Sequence, residues 1–288
     1  MSQPAAQLTQ LTDAALHSIR GCRGQGDSGE CLQYLLRHLH SAMLCGDGSS
    51  LVSKLFQGMY GPWEHLEDEN QRVGERFWAL LLPVPPNPAD AQARTPTLYD
   101  CLRLSGLGTT AARTAVEAET PPISSNMKRR GLAVLPPYLV IQFKPAAAVS
   151  SGAGGTLVPQ GRRVSFPSEG LDMAPYAATV TATVLYTLVA VIYYHRPNEE
   201  HEQGHYTAAV TWEGGWWLCD DTVCREISAP GAEPPGGGAS NDKDHVQHVL
   251  VYHRAQRGAN ERGKLKRQYT GKLPHQPTSL KQRVHIRF

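Results

Sequence analysis

No Cys-x-x-Cys pair occurs among the six cysteines of this 288-residue chain (Cys22, Cys31, Cys45, Cys101, Cys219 and Cys224). That argues against a zinc ribbon, and the wide spacing argues against the disulfide framework of a small secreted domain. Free thiols fit the cytoplasm or another reducing intracellular compartment. The opening MSQPAAQLTQLTDAALHSIR has neither the basic-then-apolar pattern of a secretory signal nor the arginine density of a transit peptide. Charge is missing from Met173 to Tyr194, a stretch as long as a membrane span. Pro175 and four threonines make it a poor apolar helix, and the Thr-Val-Thr-Ala-Thr-Val alternation at 179–184 followed by Leu188–Ile192 predicts a half-buried strand entering a buried one. No membrane association is expected.

What is present is the composition of a folded protein, 41% hydrophobic and 19% charged. The net charge of +2 conceals a split: residues 253–288 hold ten Lys or Arg against the single acid Glu261, so an acidic body precedes a basic tail. Clustered cations without large apolar groups predict a solvated extension at 255–288, or a contact with RNA, the ribosome or another anionic partner through counterion release.

Along the body, Asp27-Ser28-Gly29-Glu30 has capping-box spacing, and Leu32, Leu35, Leu36, Leu39 and Met43 then recur on one helical face until Gly46-Asp47-Gly48. Short proline-bounded apolar runs at 77–85 (FWALLLPVP) and 136–143 (PPYLVIQF) read as strands, with RVSFP (163–167) and YTLVAVIYY (186–194). Three segments rich in Gly, Pro and small residues, at 108–126, 146–161 and 228–244, read as surface insertions.

The chemistry is concentrated in GHYTAAVTWEGGWWLCDD (204–221). Histidine titrates near neutrality, and a carboxylate that orients its ring makes it a general base. His205 with Asp220 or Asp221 is therefore a base in need of a nucleophile. The bland alternative for the aspartates is an Asp pair in a turn. Trp216 and Trp217 read as core and cleft wall.

Several motifs together resemble the ubiquitin-specific protease family. They are Tyr186-Thr187-Leu188-Val189-Ala190-Val191, Gly204-His205-Tyr206, Trp216 to Asp221, and Val249-Leu250-Val251-Tyr252-His253-Arg254, preceded by LPPYLVIQFK (135–144), RRVSFPSEGLDMAPY (162–176) and QGDSGECLQYLLRHLH (25–40). The resemblance implies an α+β, papain-like cysteine peptidase fold with a partial helical thumb (1–60), a β-sheet palm and reduced fingers (61–254), and a separate tail (255–288). It implies a thiol-dependent deubiquitinase that needs no cofactor and meets ubiquitin or ubiquitinated proteins. His205 would take the proton of a cysteine, Asp220 would hold the His205 ring, and Asp221 would support the oxyanion region. Asp27, Glu30 and Tyr206 would contact the ubiquitin tail, although Asp27 and Glu30 serve equally as helix caps.

Two family features are missing from the sequence. No Gly-Asn-Thr-Cys box stands ahead of the 25–40 segment, and Cys22, the nearest thiol there, has no oxyanion donor before it. The segments around 64–75 and 109–126, which carry zinc-binding Cys pairs in many members, contain no cysteine, so no metal is expected and the chain is most similar to a zinc-free subfamily. The resemblance thus implies either a deubiquitinase whose cysteine is supplied from elsewhere, or a non-catalytic scaffold that binds ubiquitin or a ribonucleoprotein.

Overall fold

A computed structural model describes residues 27–63, 74–85, 95–108, 130–145, 162–179, 183–195, 204–221, 223–230 and 245–255. Outside them lie Cys22, most of the three predicted insertions, residues 64–73 and 109–126 of the zinc-free segments, and the basic tail from 256 onward.

The described chain begins with α1 (Ser28–Ala42), α2 (Leu51–Phe56), β1 (Gly58–Trp63), β2 (Arg76–Phe77), β3 (Leu80–Val84) and α3 (Leu98–Leu104). It continues through β4 (Arg130–Val134), β5 (Tyr138–Pro145), β6 (Leu171–Asp172) and a 3-10 turn (Ala174–Tyr176), and ends with β7 (Leu185–His195), β8 (His205–Trp212), β9 (Gly215–Asp220), β10 (Val223–Ile227) and β11 (His245–Arg254). β2, β1 and β4 form a small antiparallel sheet. The main sheet is ordered β10-β9-β8-β7-β11-β5-β3, with β6 against β7; β3 runs parallel to β5 and the other pairings are antiparallel.

Alternation along the strands divides the apolar residues between the faces of the main sheet. One face carries the larger core, with Leu80, Leu82, Ile141, Phe143, Tyr186, Leu188, Ala209, Leu218, Leu250 and Tyr252. The other places Ala79, Val140 and Val249 beneath Leu32 of α1 and Phe56 of α2. Leu36, Val52 and Trp78 close the space between the two helices.

The predicted helix forms, but only part of its stripe is used: Leu36 is buried and Leu32 and Leu39 are partly so, whereas Met43 lies past the helix end and is exposed. Asp27 caps α1 by accepting from Gly29 N at 2.8 Å and Glu30 N at 3.0 Å. Glu30 does not reciprocate in a capping box; its carboxylate stands 3.7 Å from Lys144. The reason is a stronger set of partners from the sheet. Buried Gln142 donates to Asp27 Oδ1 at 2.9 Å while accepting from Gln33 at 2.9 Å, His248 Nε2 donates to the same Oδ1 at 2.9 Å, and Lys144 reaches Oδ2 at 3.3 Å. One carboxylate joins the start of α1 to β5 and β11. Burial alone would raise its pKa, yet the hydrogen bond and charge of His248, the Glu30 N–H and the Lys144 charge together hold it well below the usual carboxylate range.

Two strand expectations differ from the structure. RVSFP makes only a single parallel bridge, Thr97 to Ser165, because side chains take its backbone groups: Gln247 Oε1 accepts from Val164 N at 3.1 Å and the Tyr252 hydroxyl donates to Pro167 O at 2.8 Å. The alternating stretch at 179–184 is likewise not a strand where described. Met173–Ala177 turns through the 3-10 element, and Asp172 Oδ1 binds both Ala174 N (2.9 Å) and Val184 N (3.3 Å), delaying β7 until Leu185. Among the described residues no helix is long and apolar enough to cross a membrane.

The Asp27 cluster makes a stability prediction. Asp27→Ala removes a cap and strands buried donors, and should lower unfolding free energy by about 2–4 kcal/mol. Asp27→Asn should cost less at neutral pH. Because the folded carboxyl titrates below its unfolded value, the stability it adds is full above about pH 4 and is lost as pH falls through the folded pKa. Urea unfolding of wild type and Asp27→Asn should therefore show a gap that narrows on acidification; a gap independent of pH would contradict the assignment.

Candidate active site

His205 opens β8 and Asp220 ends β9, and the ladder between those strands decides whether the two can meet. Ala209 pairs with Leu218 and Ala208 with Cys219. Continuing that register sets Asp220 opposite Thr207, so His205 lies two residues along on the same face, a diagonal neighbour. An imidazole and a short carboxylate span that diagonal. His205 Nε2 donates to Asp220 Oδ1 at 2.6 Å. The pair is semi-exposed, with side-chain exposures of 39% and 53%.

The register is set by the tight connection at the far end of the hairpin. Glu213 (φ 50°) and Gly214 (φ 84°) both adopt left-handed backbone between Trp212 and Gly215, which pair directly. Two positive φ values in a two-residue loop are the turn whose twist matches that of its strands, and glycine takes the second without strain. At the near end, Val223 pairs with Asp220, and Asp221 follows Asp220 with φ 49°. The turn expected of an Asp pair is thus present, and it is the turn that presents both carboxylates.

Ligand atoms of His205, Asp220 and Asp221 all fall within 4.8 Å of one another. These are the residues that could hold a cation, but Asp220 Oδ1 already accepts the ring N–H. With Nε2 committed to donation, Nδ1 is the nitrogen left to accept a proton. Asp220 therefore fixes both the tautomer and the tilt of His205, the arrangement of a general base with its orienting acid. Among the described residues, no cysteine sulfur is within hydrogen-bonding distance of His205.

Gly204 has a packing reason to precede His205. Tyr194, across the ladder on β7, lays its ring against the Gly204 backbone, and a Cβ there would overlap that ring. His195 pairs with His205 in the same ladder and is half-buried. Trp216 lies on the His205 face and packs against the main core, while Trp217 alternates to the other face.

Asp27, Glu30 and Tyr206 are brought together separately, on the opposite face of β8 beside the start of α1. The Tyr206 ring contacts Tyr194 (centroids 5.0 Å) and His248 (5.7 Å), and His248 binds Asp27. Burial, reinforced by the Asp27 charge, pushes the Tyr206 hydroxyl up to about 12. Asp27 Oδ1 already has four donors, so a ligand could reach Asp27 only through Oδ2; Glu30 is largely exposed. Sequence reasoning overlooked Gln142, Lys144 and His248. The available signal was two polar residues at period two in an otherwise apolar strand, which marks them as sharing a face with Val140.

Three solved structures illustrate the likeness to known proteins. A yeast SAGA DUBm with an Sgf73 mutant matches with a TM-score of 0.55 at 17% identity, covering 80% of this chain and 49% of that one. The SAGA DUB module of Ubp8, Sgf11, Sus1 and Sgf73 bound to monoubiquitin matches at 0.54 and 19%, covering 81% and 49%. The same module bound to ubiquitin aldehyde matches at 0.50 and 17%, covering 81% and 50%. At such identities the likeness shows the fold, which is α+β and of the papain-like, ubiquitin-specific protease type. The chain spans about half the length of those structures. Curated protein sequences give no match. The profile of the family described as ubiquitin carboxyl-terminal hydrolase matches residues 6–254, which include α1, the whole main sheet and the His205–Asp220 pair. The chain therefore belongs to the ubiquitin carboxyl-terminal hydrolase family.

Proposed function

We propose that this chain carries the acid–base half of a thiol-dependent deubiquitinase, one that hydrolyses isopeptide bonds at the ubiquitin C-terminus when a cysteine outside the described residues is delivered to His205. The observation that carries this reading is the 2.6 Å contact from His205 Nε2 to Asp220, which leaves Nδ1 as the acceptor. Nδ1 takes the thiol proton, and the thiolate attacks the isopeptide carbonyl. His205 then returns the proton to the departing lysine amine, leaving an acyl thioester that water hydrolyses with the same base. Asp220 stabilises the imidazolium at both stages, and Asp221 supports the developing oxyanion. The ubiquitin tail approaches past Glu30 and Tyr206, with Asp27 holding that edge in place. Solved relatives that bind monoubiquitin or ubiquitin aldehyde support ubiquitin as the ligand.

A second reading is favoured by one specific feature: among the described residues, no thiol is hydrogen-bonded to His205. On that reading the chain is a non-catalytic scaffold that binds ubiquitin and docks an anionic partner through residues 255–288.

Activity and binding separate the two. With a fluorogenic ubiquitin C-terminal amide, the 288-residue chain should show no turnover. A longer form that adds a Gly-Asn-Thr-Cys segment should turn over, and His205→Ala should reduce that rate by at least ~10²-fold. Turnover by the 288-residue chain that survives His205→Ala would overturn the assignment of the base; an extended, folded form that binds ubiquitin but never turns over would favour the scaffold.

Gly204→Ala should lower the same activity without unfolding the chain, by displacing Tyr194 and shifting His205. Unchanged activity with intact circular dichroism would show that the close approach at Gly204 is incidental. Titration with ubiquitin should weaken several-fold for Glu30→Lys and for Tyr206→Ala; equal affinities would remove that face from the binding path.

A further inference from the structure

The hairpin that presents Asp220 and Asp221 carries two cysteines that the reaction above does not use. Cys219 and Cys224 are cross-strand partners on β9 and β10, one pair in from the Asp220–Val223 pair that closes the turn. Ladder pairs alternate, so the pair next to the closing one is the close, non-hydrogen-bonded kind, with Cα atoms ~4.5 Å apart. That falls within the separation a disulfide spans. Both are free thiols, and their sulfurs are 2.9 Å apart. Cys224 is exposed on β10, which is the edge of the main sheet, and Val223 beside it is 60% exposed. Cys219 is half-buried, and burial together with the Cys224 contact pushes its thiol up to about 11.

We propose that Cys219 and Cys224 are a redox modification site: a hydroperoxide oxidises them to a reversible disulfide that clamps the turn bearing Asp220. The exposed Cys224 thiolate attacks the terminal peroxide oxygen, forming a sulfenic acid and releasing water or an alcohol. The Cys219 sulfur then attacks the sulfenic sulfur, expelling a second water and closing the S–S bond. Two thiols lose two protons and two electrons, and the peroxide is reduced. The closed ring runs only from Cys219 to Cys224, so it encloses four residues, Asp220 to Val223. The edge strand β10, otherwise held by its ladder to β9, becomes covalently tied to it at the residue adjoining the His205 partner.

The test uses the full chain treated with hydrogen peroxide, then alkylated and mapped by peptide mass. The expected result is a peptide spanning both residues, lighter by two hydrogens and protected from alkylation, restored by dithiothreitol and absent in Cys224→Ser. Backbone hydrogen exchange at 219–224 should slow in the oxidised wild type and not in peroxide-treated Cys224→Ser, whose exposed substitution leaves the core untouched. Full alkylation of both thiols after peroxide, or sulfinic acid at Cys224 without a link, would overturn the site. A link that leaves exchange at 219–224 unchanged would overturn the clamp.

Discussion

The pairing register of β8 against β9 is the constraint on which the site depends. Side chains alternate, so a slip of one residue would turn Asp220 to the face opposite His205 and leave the imidazole with no orienting acid. The Glu213–Gly214 turn, closed by the Trp212–Gly215 pair, prevents the slip. A 2.6 Å hydrogen bond between two semi-exposed groups adds little to stability by itself. Its value is geometric: it selects the tautomer and leaves Nδ1 as the acceptor, using a register that the Glu213–Gly214 turn has already fixed.

The second organising interaction works on the other face of the same sheet. Asp27 collects donors from the α1 backbone, from β5 and from β11, so α1 is held on the sheet by charge-assisted hydrogen bonds as well as by Leu32, while α2 packs beside it through Phe56. Tyr206 lies between the two arrangements. It follows His205 in the chain, alternates to the opposite face and touches His248, which in turn binds Asp27. His205 and the helix cap are thus separated by the thickness of one strand.

Much of this was legible in the sequence, for identifiable reasons. α1 was visible because an acid at the cap precedes apolar residues at helical spacing, and β5 and β7 because short apolar or β-branched runs lie between prolines or polar turns; β11 was indicated only by the family resemblance of Val249 to Arg254. His205 and Asp220 stood out because both residue types were needed at one strand end. What could not be read was long-range. RVSFP has strand composition but is held by Gln247 and Tyr252, more than eighty residues away. The Asp27 cluster joins positions 27, 142, 144 and 248; local spacing marks the cap and the polar pair in β5, but not that they meet each other or His248. The Cys219–Cys224 contact needs the hairpin register, which follows only once the two turns are known.

The central claim is that Asp220 holds His205 through Nε2 and leaves Nδ1 to accept a proton. Nitrogen-15 NMR of the imidazole reports this directly, because protonated and unprotonated ring nitrogens resonate far apart. In the full chain, at a pH where the ring is neutral, His205 should carry its proton on Nε2, and Asp220→Ala should bring the ring toward the tautomer mixture of a free histidine. A His205 protonated on Nδ1, or one whose tautomer is indifferent to Asp220→Ala, would contradict the account.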